Sequence, residues 1–269
     1  MKLTIIGSSG SFPGPGSPAS CYLVSAQGVD EQGNPKKYRI LLDLGNGALG
    51  ALQRYISLDE VDAICLSHLH PDHCMDLCGM HVAIRWDPSG WRAGRVPVWG
   101  PAATADRMAI AYGLDLDPGM HEEFDFQHWQ SRVPVKLGPM TITPYPVRHP
   151  IDEAYAIRIE AEEHIGGDTV RSALTYSGDT DTCDELVEAA DHADIFLCEA
   201  AFQEGRDDGI EGVHLTGQRA GEMAHRADVS RLLLTHLPVW NDPLTVAEEA
   251  RRSFAGPLAV AVSGVTYTV

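Results

Sequence analysis

Basic residues are scarce in this chain. Its 269 residues include 20 Lys and Arg against 38 Asp and Glu, a formal net charge of −18. No Lys/Arg cluster offsets that excess, and a large polyanion needs a basic footprint to hold its phosphates. An extended nucleic acid is therefore disfavoured as a partner. A small anionic substrate is not, because bound cations reverse a local field. Long apolar runs are missing too, so no membrane span or membrane partner is expected. The opening "MKLTIIGSSG" has one Lys before a short apolar stretch and reads as a first strand, not a secretory signal. Cysteines number six. Several sit in apolar runs ("AICLS", "IFLCEA"), as reduced core residues of a cytoplasmic protein do. Cys74 and Cys78 stand four apart on an expected helix, a spacing open to metal but more often plain packing.

What the chain does have is short apolar runs alternating with helical ones. Strands are expected at 2–8, 21–26, 38–45, 61–67, 140–147, 154–161, 172–178, 193–200, 231–236 and 258–264. Helices are expected at 46–56, 72–86, 102–112, 183–190, 215–227 and 244–253. Residues 26–37 and 162–170 read as hairpin excursions. With no linker or low-complexity segment, residues 1–269 read as one α/β domain. Each half is strand-rich before its helices. The pattern predicts two sheets face to face with helices outside.

Polar residues gather where these strands end. "AICLS" runs into His68, "ITPYPVR" into His149, "LTYSG" into Asp179, "IFLCE" ends on Glu199, and "RLLLT" runs into His236. In α/β sheets, ligands bind at the carboxyl ends of strands. Five such residues from distant parts of the chain suggest one convergent site.

The densest piece is "SHLHPDHCMDL" (67–77), with three histidines and two aspartates. Alternate residues of an extended segment point the same way, so His68 and His70 can reach one metal. Asp72 and His73 then open a helix and face a neighbouring position. Buried imidazoles and carboxylates are costly unless paired or bound to metal. Four donors exceed what one catalytic zinc takes, so a second ion is expected. His149, Asp179 and His236 can complete the set. Asp179 is the best bridging carboxylate, because small Ser177 and Gly178 let the backbone come close. This donor set suits zinc, manganese or iron.

"SHLHPDH", His149, "YSGDT" and "THLP", in that order, resemble the ligand set of the metallo-β-lactamase superfamily. The resemblance covers nearly the whole chain. It implies a four-layer αββα sandwich, two mixed sheets with helices outside, holding two divalent metal ions. By it, His68, His70 and His149 hold one ion, Asp72, His73 and His236 hold the other, and Asp179 bridges.

Two further pieces narrow the branch. "FLCEAAF" carries Glu199, and "VHLTGQRAGEMA" carries His214 just before a helix. Ribonuclease Z-like phosphodiesterases have a similar Glu and His that handle the leaving group's proton. Phosphodiester cleavage needs that proton: two ions supply an ionised water and clamp the phosphoryl oxygens, but do not protonate the departing oxygen. Asp72, Glu199 and His214 thus form the candidate catalytic set. Ribonuclease Z grips transfer RNA with a long basic arm. Here residues 150–178, only 29 positions, contain "EAEEH" instead. "GSSGSFPGPGSPAS", "YSGDTDTCDELVE" and "LLLTHLPVW" look closest to bacterial atypical class II phosphodiesterases. That resemblance implies hydrolysis of 3′,5′-cyclic AMP to the 5′-monophosphate. The wider resemblance to ribonuclease Z-like members implies a homodimer. Apolar residues of the helix at 72–86 offer a dimer face. Phe202 and Trp240 are the candidate base-lining residues. The alternatives are a ribonuclease Z-like tRNA 3′ endonuclease, a thioesterase or lactonase on the same scaffold, and a non-catalytic binding module. The Glu199–His214 pair argues against the thioesterase and lactonase, and the complete ligand set argues against the binding module.

Overall fold

The computed structural model describes residues 1–269. In the first half, strands β1 (Lys2–Gly7), β2 (Cys21–Val29), β3 (Pro35–Leu42), β4 (Ala63–Cys65), β5 (Val96–Gly100) and β6 (Phe124–His128) alternate with helices α1 (Ala48–Leu52), α2 (Pro71–Cys74), α3 (Leu77–Arg85) and α4 (Thr104–Tyr112). The second half has β7 (Val135–Leu137), β8 (Met140–Pro146), β9 (Tyr155–Ile165), β10 (Asp168–Tyr176), β11 (Ile195–Glu199), β12 (Leu232–Thr235), β13 (Leu258–Val260) and β14 (Thr266–Thr268). Its helices are α5 (Asp184–Ala190), α6 (Gly217–Arg226) and α7 (Pro243–Arg251).

The strands form two seven-stranded sheets, ordered β14-β1-β2-β3-β4-β5-β6 and β13-β12-β11-β10-β9-β8-β7. Each is mixed. β1 to β3 pair antiparallel and β3 to β6 parallel. Likewise β7 to β10 are antiparallel and β10 to β13 parallel.

Period-two alternation explains the layers. Ile40 and Leu42 of β3 point between the sheets, where they meet Ile157, Leu174 and Leu197. Leu41 points outward, into the cluster that holds Leu52, Leu77 and Met108 of α1, α3 and α4. On β11, Ile195 and Leu197 face inward while Phe196 and Cys198 pack outward with Leu186, Met223 and Val246 of α5 to α7. Strands covered on both faces read as unbroken apolar runs, which is why "RLLLT" and "IFLCE" stand out in the sequence. The result is the expected four-layer αββα sandwich.

Three differences from the expected elements have clear causes. The single helix expected at 72–86 is two, α2 and α3. Asp76 N–H donates to Leu44 O (3.1 Å) instead of continuing the helix ladder, and Leu44 N–H donates to His73 O (2.8 Å). The ladder is broken so that α2 can be tied to the end of β3. Second, Cys74, Leu77, Met80 and Ile84 turn into the core. Most of the apolar content at 72–86 is thus spent on packing, and Val82 and Trp86 stay exposed. Third, β5, β6, β7 and β14 went unread. β5 ("VPVWG") carries Pro97, which lacks a ladder donor and demotes a strand reading. β7 and β14 have three residues each at sheet edges, too few to show a period. No helix is long and apolar enough to cross a membrane.

Candidate metal centre and active site

The parallel strands deliver their carboxyl ends to one rim of the sandwich. Beyond β4 the chain bends at Ser67 and reaches His70, which stands N-terminal to α2 with φ −67° and ψ 149°. Pro71 starts the helix, where its missing N–H costs nothing. Asp72 and His73 therefore sit in the first turn. From the opposite sheet, His149 follows β8, Asp179 follows β10, and His236 follows β12. Gly178 turns with φ +58°, and a Cβ there would lie 2.6 Å from Tyr155 O. Only glycine fits this close approach, so "SGD" can bring Asp179 into the rim.

The seven expected donors fall into two groups, His68/His70/His149/Asp179 and Asp72/His73/Asp179/His236, in each of which the donor atoms lie within 4.8 Å of one another. Asp179 is the residue they share. His70 Nδ1 stands 3.0 Å from His68 Nε2 and 3.1 Å from His149 Nε2. In the second group, His73 Nε2 is 3.3 Å from His236 Nε2 and 3.2 Å from Asp179 Oδ2, and His236 Nε2 is 3.1 Å from Asp72 Oδ2.

Hydrogen bonding behind the rings shows what this crowding requires. His149 Nδ1 faces Val213 O at 2.8 Å. A carbonyl only accepts, so Nδ1 carries the proton and Nε2 turns a bare lone pair inward. His73 Nδ1 faces Asp43 Oδ2 at 2.7 Å, with the same consequence. Ser67 Oγ gives its proton to Asp43 Oδ2 (2.7 Å) and so accepts from His68 Nδ1 (3.0 Å). Three imidazole lone pairs thus converge on buried carboxylate oxygens. Asp179 Oδ1 and His236 Nδ1 are buried with no hydrogen-bond partner at all. Lone pairs facing lone pairs are satisfied by cations, so the residues fit metal. Burial pushes the His68, His70 and His149 imidazoles below their ordinary range, keeping them in the neutral form that ligates.

Sequence reading missed Asp43. Fully buried at the end of β3, it accepts from Ser67 N (2.7 Å), Ser67 Oγ, His73 Nδ1 and Tyr176 Oη (2.8 Å). It thereby orients one histidine of each group, directly for His73 and through Ser67 for His68. The signal was present in "YRILLDLG", an apolar strand ending in a charge. Partners behind metal ligands cost about 10–100-fold in metal affinity when removed. Asp43→Ala should weaken metal binding by that order, as read by competition with a chelator. Unchanged affinity would reduce Asp43 to a core hydrogen-bond acceptor.

Glu199 and His214 meet beside the donors. His214 precedes α6, whose first turn is capped by Thr216 Oγ1 accepting from Arg219 N (3.2 Å). His214 Nδ1 donates to Glu199 Oε1 at 2.8 Å. Glu199 also accepts from Thr180 N on Oε1 and Ala201 N on Oε2, both 3.0 Å. Both its oxygens are held by protein donors, so Glu199 orients the histidine. Glu199, His214 and His236 could also group around an ion, but those backbone bonds already occupy the carboxylate. Burial disfavours charge on His214, yet the Glu199 carboxylate outweighs it and raises the imidazole to about 9. The His214 ring lies 5.3 Å from His149 and 4.9 Å from Phe202. Phe202 and Trp240 line one cleft that His214 also lines.

Two mixed sheets face to face, helices outside, and a His/Asp donor cluster at the strand ends define a metal-dependent hydrolase of the αββα class. The chain belongs to the beta-lactamase superfamily, whose domain profile matches residues 38–237. It is 41% identical to the uncharacterised protein ML1173 of Mycobacterium leprae, over all of this chain and 89% of that protein. It is 28% identical to the probable metallo-hydrolase YhfI of Bacillus subtilis, over 99% of each. The crystal structure of YhfI superposes with a TM-score of 0.81, covering 99% of this chain and 98% of that one at 27% identity. Ribonuclease Z of Haloferax volcanii is 25% identical over 98% of this chain and 93% of that protein.

Proposed function

We propose that this metallo-hydrolase cleaves phosphodiesters, 3′,5′-cyclic nucleotides and cyclic AMP foremost, to nucleoside 5′-monophosphates. The Glu199–His214 pair, 2.8 Å apart and placed against the donor cluster, carries this reading. In it, His68, His70 and His149 would hold one divalent ion and Asp72, His73 and His236 the other, with Asp179 available to both and zinc the foremost candidate. Such ions, when bound, lower the pKa of water and polarise phosphoryl oxygens.

The rest falls to the chain. A water that has given one proton to solvent forms the new P–O bond through its oxygen as the bond to the 3′ oxygen breaks; its other proton stays with the phosphoryl group. The 3′ oxygen leaves with the electron pair and needs a proton. His214 supplies it, with Nδ1 pinned by Glu199 so that the other ring nitrogen serves the substrate. Asp72 holds the His73–His236 side of the site. Thioester and lactone hydrolysis have less need of this second, metal-free proton device.

Transfer RNA is a poorer fit. The segment between His149 and Asp179 is the β9–β10 hairpin, whose strands carry Glu160, Glu162 and Glu163. The charge of −18 repels a polyanion. Metal-loaded protein given cyclic AMP and precursor tRNA side by side should hydrolyse the first and leave the second largely intact. Efficient 3′ processing of the tRNA with inert cyclic AMP would replace this reading with the ribonuclease.

A further inference from the structure

A cleft of about 260 Å³ opens beside His214, lined by Ser11, Phe202, Arg206, Asp207, Pro238 and Trp240 among others. It abuts the second donor group, because Ser11 N–H donates to His236 Nε2 at 3.3 Å. Drug-sized ligands occupy pockets of about 300–1,000 Å³, so this one suits a single ring system.

One wall is aromatic. The Phe12 and Trp240 rings pack 5.3 Å apart, with Trp240 59% exposed. The cleft also holds a braced guanidinium. Arg206 Nε donates to both Asp207 oxygens (3.1 and 2.9 Å), and Nη2 donates to Asp207 Oδ2 at 2.6 Å. Its Nη1 donates to Asn241 Oδ1 at 2.8 Å. Asn241 is itself buried and fixed through Nδ2 to Ala201 O (2.8 Å).

Two consequences follow. The guanidinium plane is set before any ligand arrives, which removes an ordering cost from binding. Asp207 also cancels most of the charge, so the group favours a neutral acceptor over a second phosphate. One Nη2–H is left without a protein partner. An aromatic wall, a fixed N–H and a neutral field describe recognition of a planar heterocycle with acceptor atoms on its edge.

We propose that this cleft is the nucleobase subsite and that Arg206 reads the ring edge. This rests on the phosphodiesterase reading, and it places the base on the side of the site where His214 meets the leaving oxygen. Neither feature figures in the superfamily's ordered ligand motif; both come from the loop after β11 and the turn after β12.

The test is calorimetric titration of metal-loaded protein with AMP and with ribose 5-phosphate. The two share the phosphate and sugar and differ in the base. Wild type should bind AMP at least about tenfold more tightly, a modest gain for one hydrogen bond to a charged group plus ring contacts. Arg206→Ala and Trp240→Ala should each cut that ratio severalfold. Arg206→Lys should keep only part of it, because an ammonium lacks the braced fork. Both side chains are substantially exposed, so folding is not at stake. A wild-type ratio near one, or a ratio untouched by Arg206→Ala, overturns the subsite. A protein that shows the Arg206-dependent preference but does not cleave cyclic nucleotides supports the subsite, and sinks the proposed reaction alone.

Discussion

Asp179→Ala should empty both donor groups and stop hydrolysis. Asp179 alone belongs to the two groups, and its Oδ1 has no protein partner. Metal analysis of wild type should give two ions per chain. The variant should retain almost none. Metal clamping of phosphoryl oxygens is worth several kcal/mol of transition-state stabilisation, so the rate should fall on the order of a thousandfold or more. His68→Ala removes a donor from one group only and should lose one ion first. Folding is controlled for by thermal melting. Ligands that bind only the native state raise the melting temperature, so added metal should stabilise wild type and leave Asp179→Ala unmoved. Full metal content in the variant would sink the shared-ligand assignment.

His214→Ala separates proton delivery from metal binding. It should keep both ions and the fold, and lose rate on cyclic AMP by about a hundred- to ten-thousandfold. The loss should shrink on bis(p-nitrophenyl) phosphate, whose leaving group hardly needs a proton. Glu199→Gln keeps the shape of the side chain but not its charge, and should act in the same direction. The double variant should cost far less than the product of the singles, because the two residues work as a unit. Equal slowing on both substrates, or loss of metal, would make His214 a structural or ligating residue. The main argument for a phosphodiesterase would then be gone.

How much of this could be read in the sequence depended on the range of each cause. "SHLHPDH" was legible because an extended segment followed by a helix sets its own geometry over six residues. His149, Asp179 and His236 were legible less directly, as polar residues ending apolar strands; only the parallel pairing of β10, β11 and β12 brings two of them together. Asp43 was missed because its role is to accept from Ser67, His73 and Tyr176, up to 133 positions away, and no local spacing encodes that. The break between α2 and α3 was hidden for a similar reason. Its cause is the Leu44 carbonyl, not any helix breaker in "CMDLC". Phe202 and Trp240 were picked for standing near Glu199 and His236. Arg206 drew no notice, since an Arg-Asp pair in a polar loop resembles any solvated turn.

The donors are divided between the sheets. His68, His70, Asp72 and His73 hang from the first, while His149, Asp179 and His236 hang from the second. Neither sheet can build a complete group alone. The cluster therefore comes into being only after the two sheets have docked, at the end of a slow, long-range assembly. A cation bound there acts as a late rivet. It should be absent from the folding transition state, so its free energy should appear in the rate of coming apart and not in the rate of assembly. Stripping metal with a chelator should speed unfolding while leaving refolding nearly unchanged. Equal effects on both rates would mean that the seam closes early.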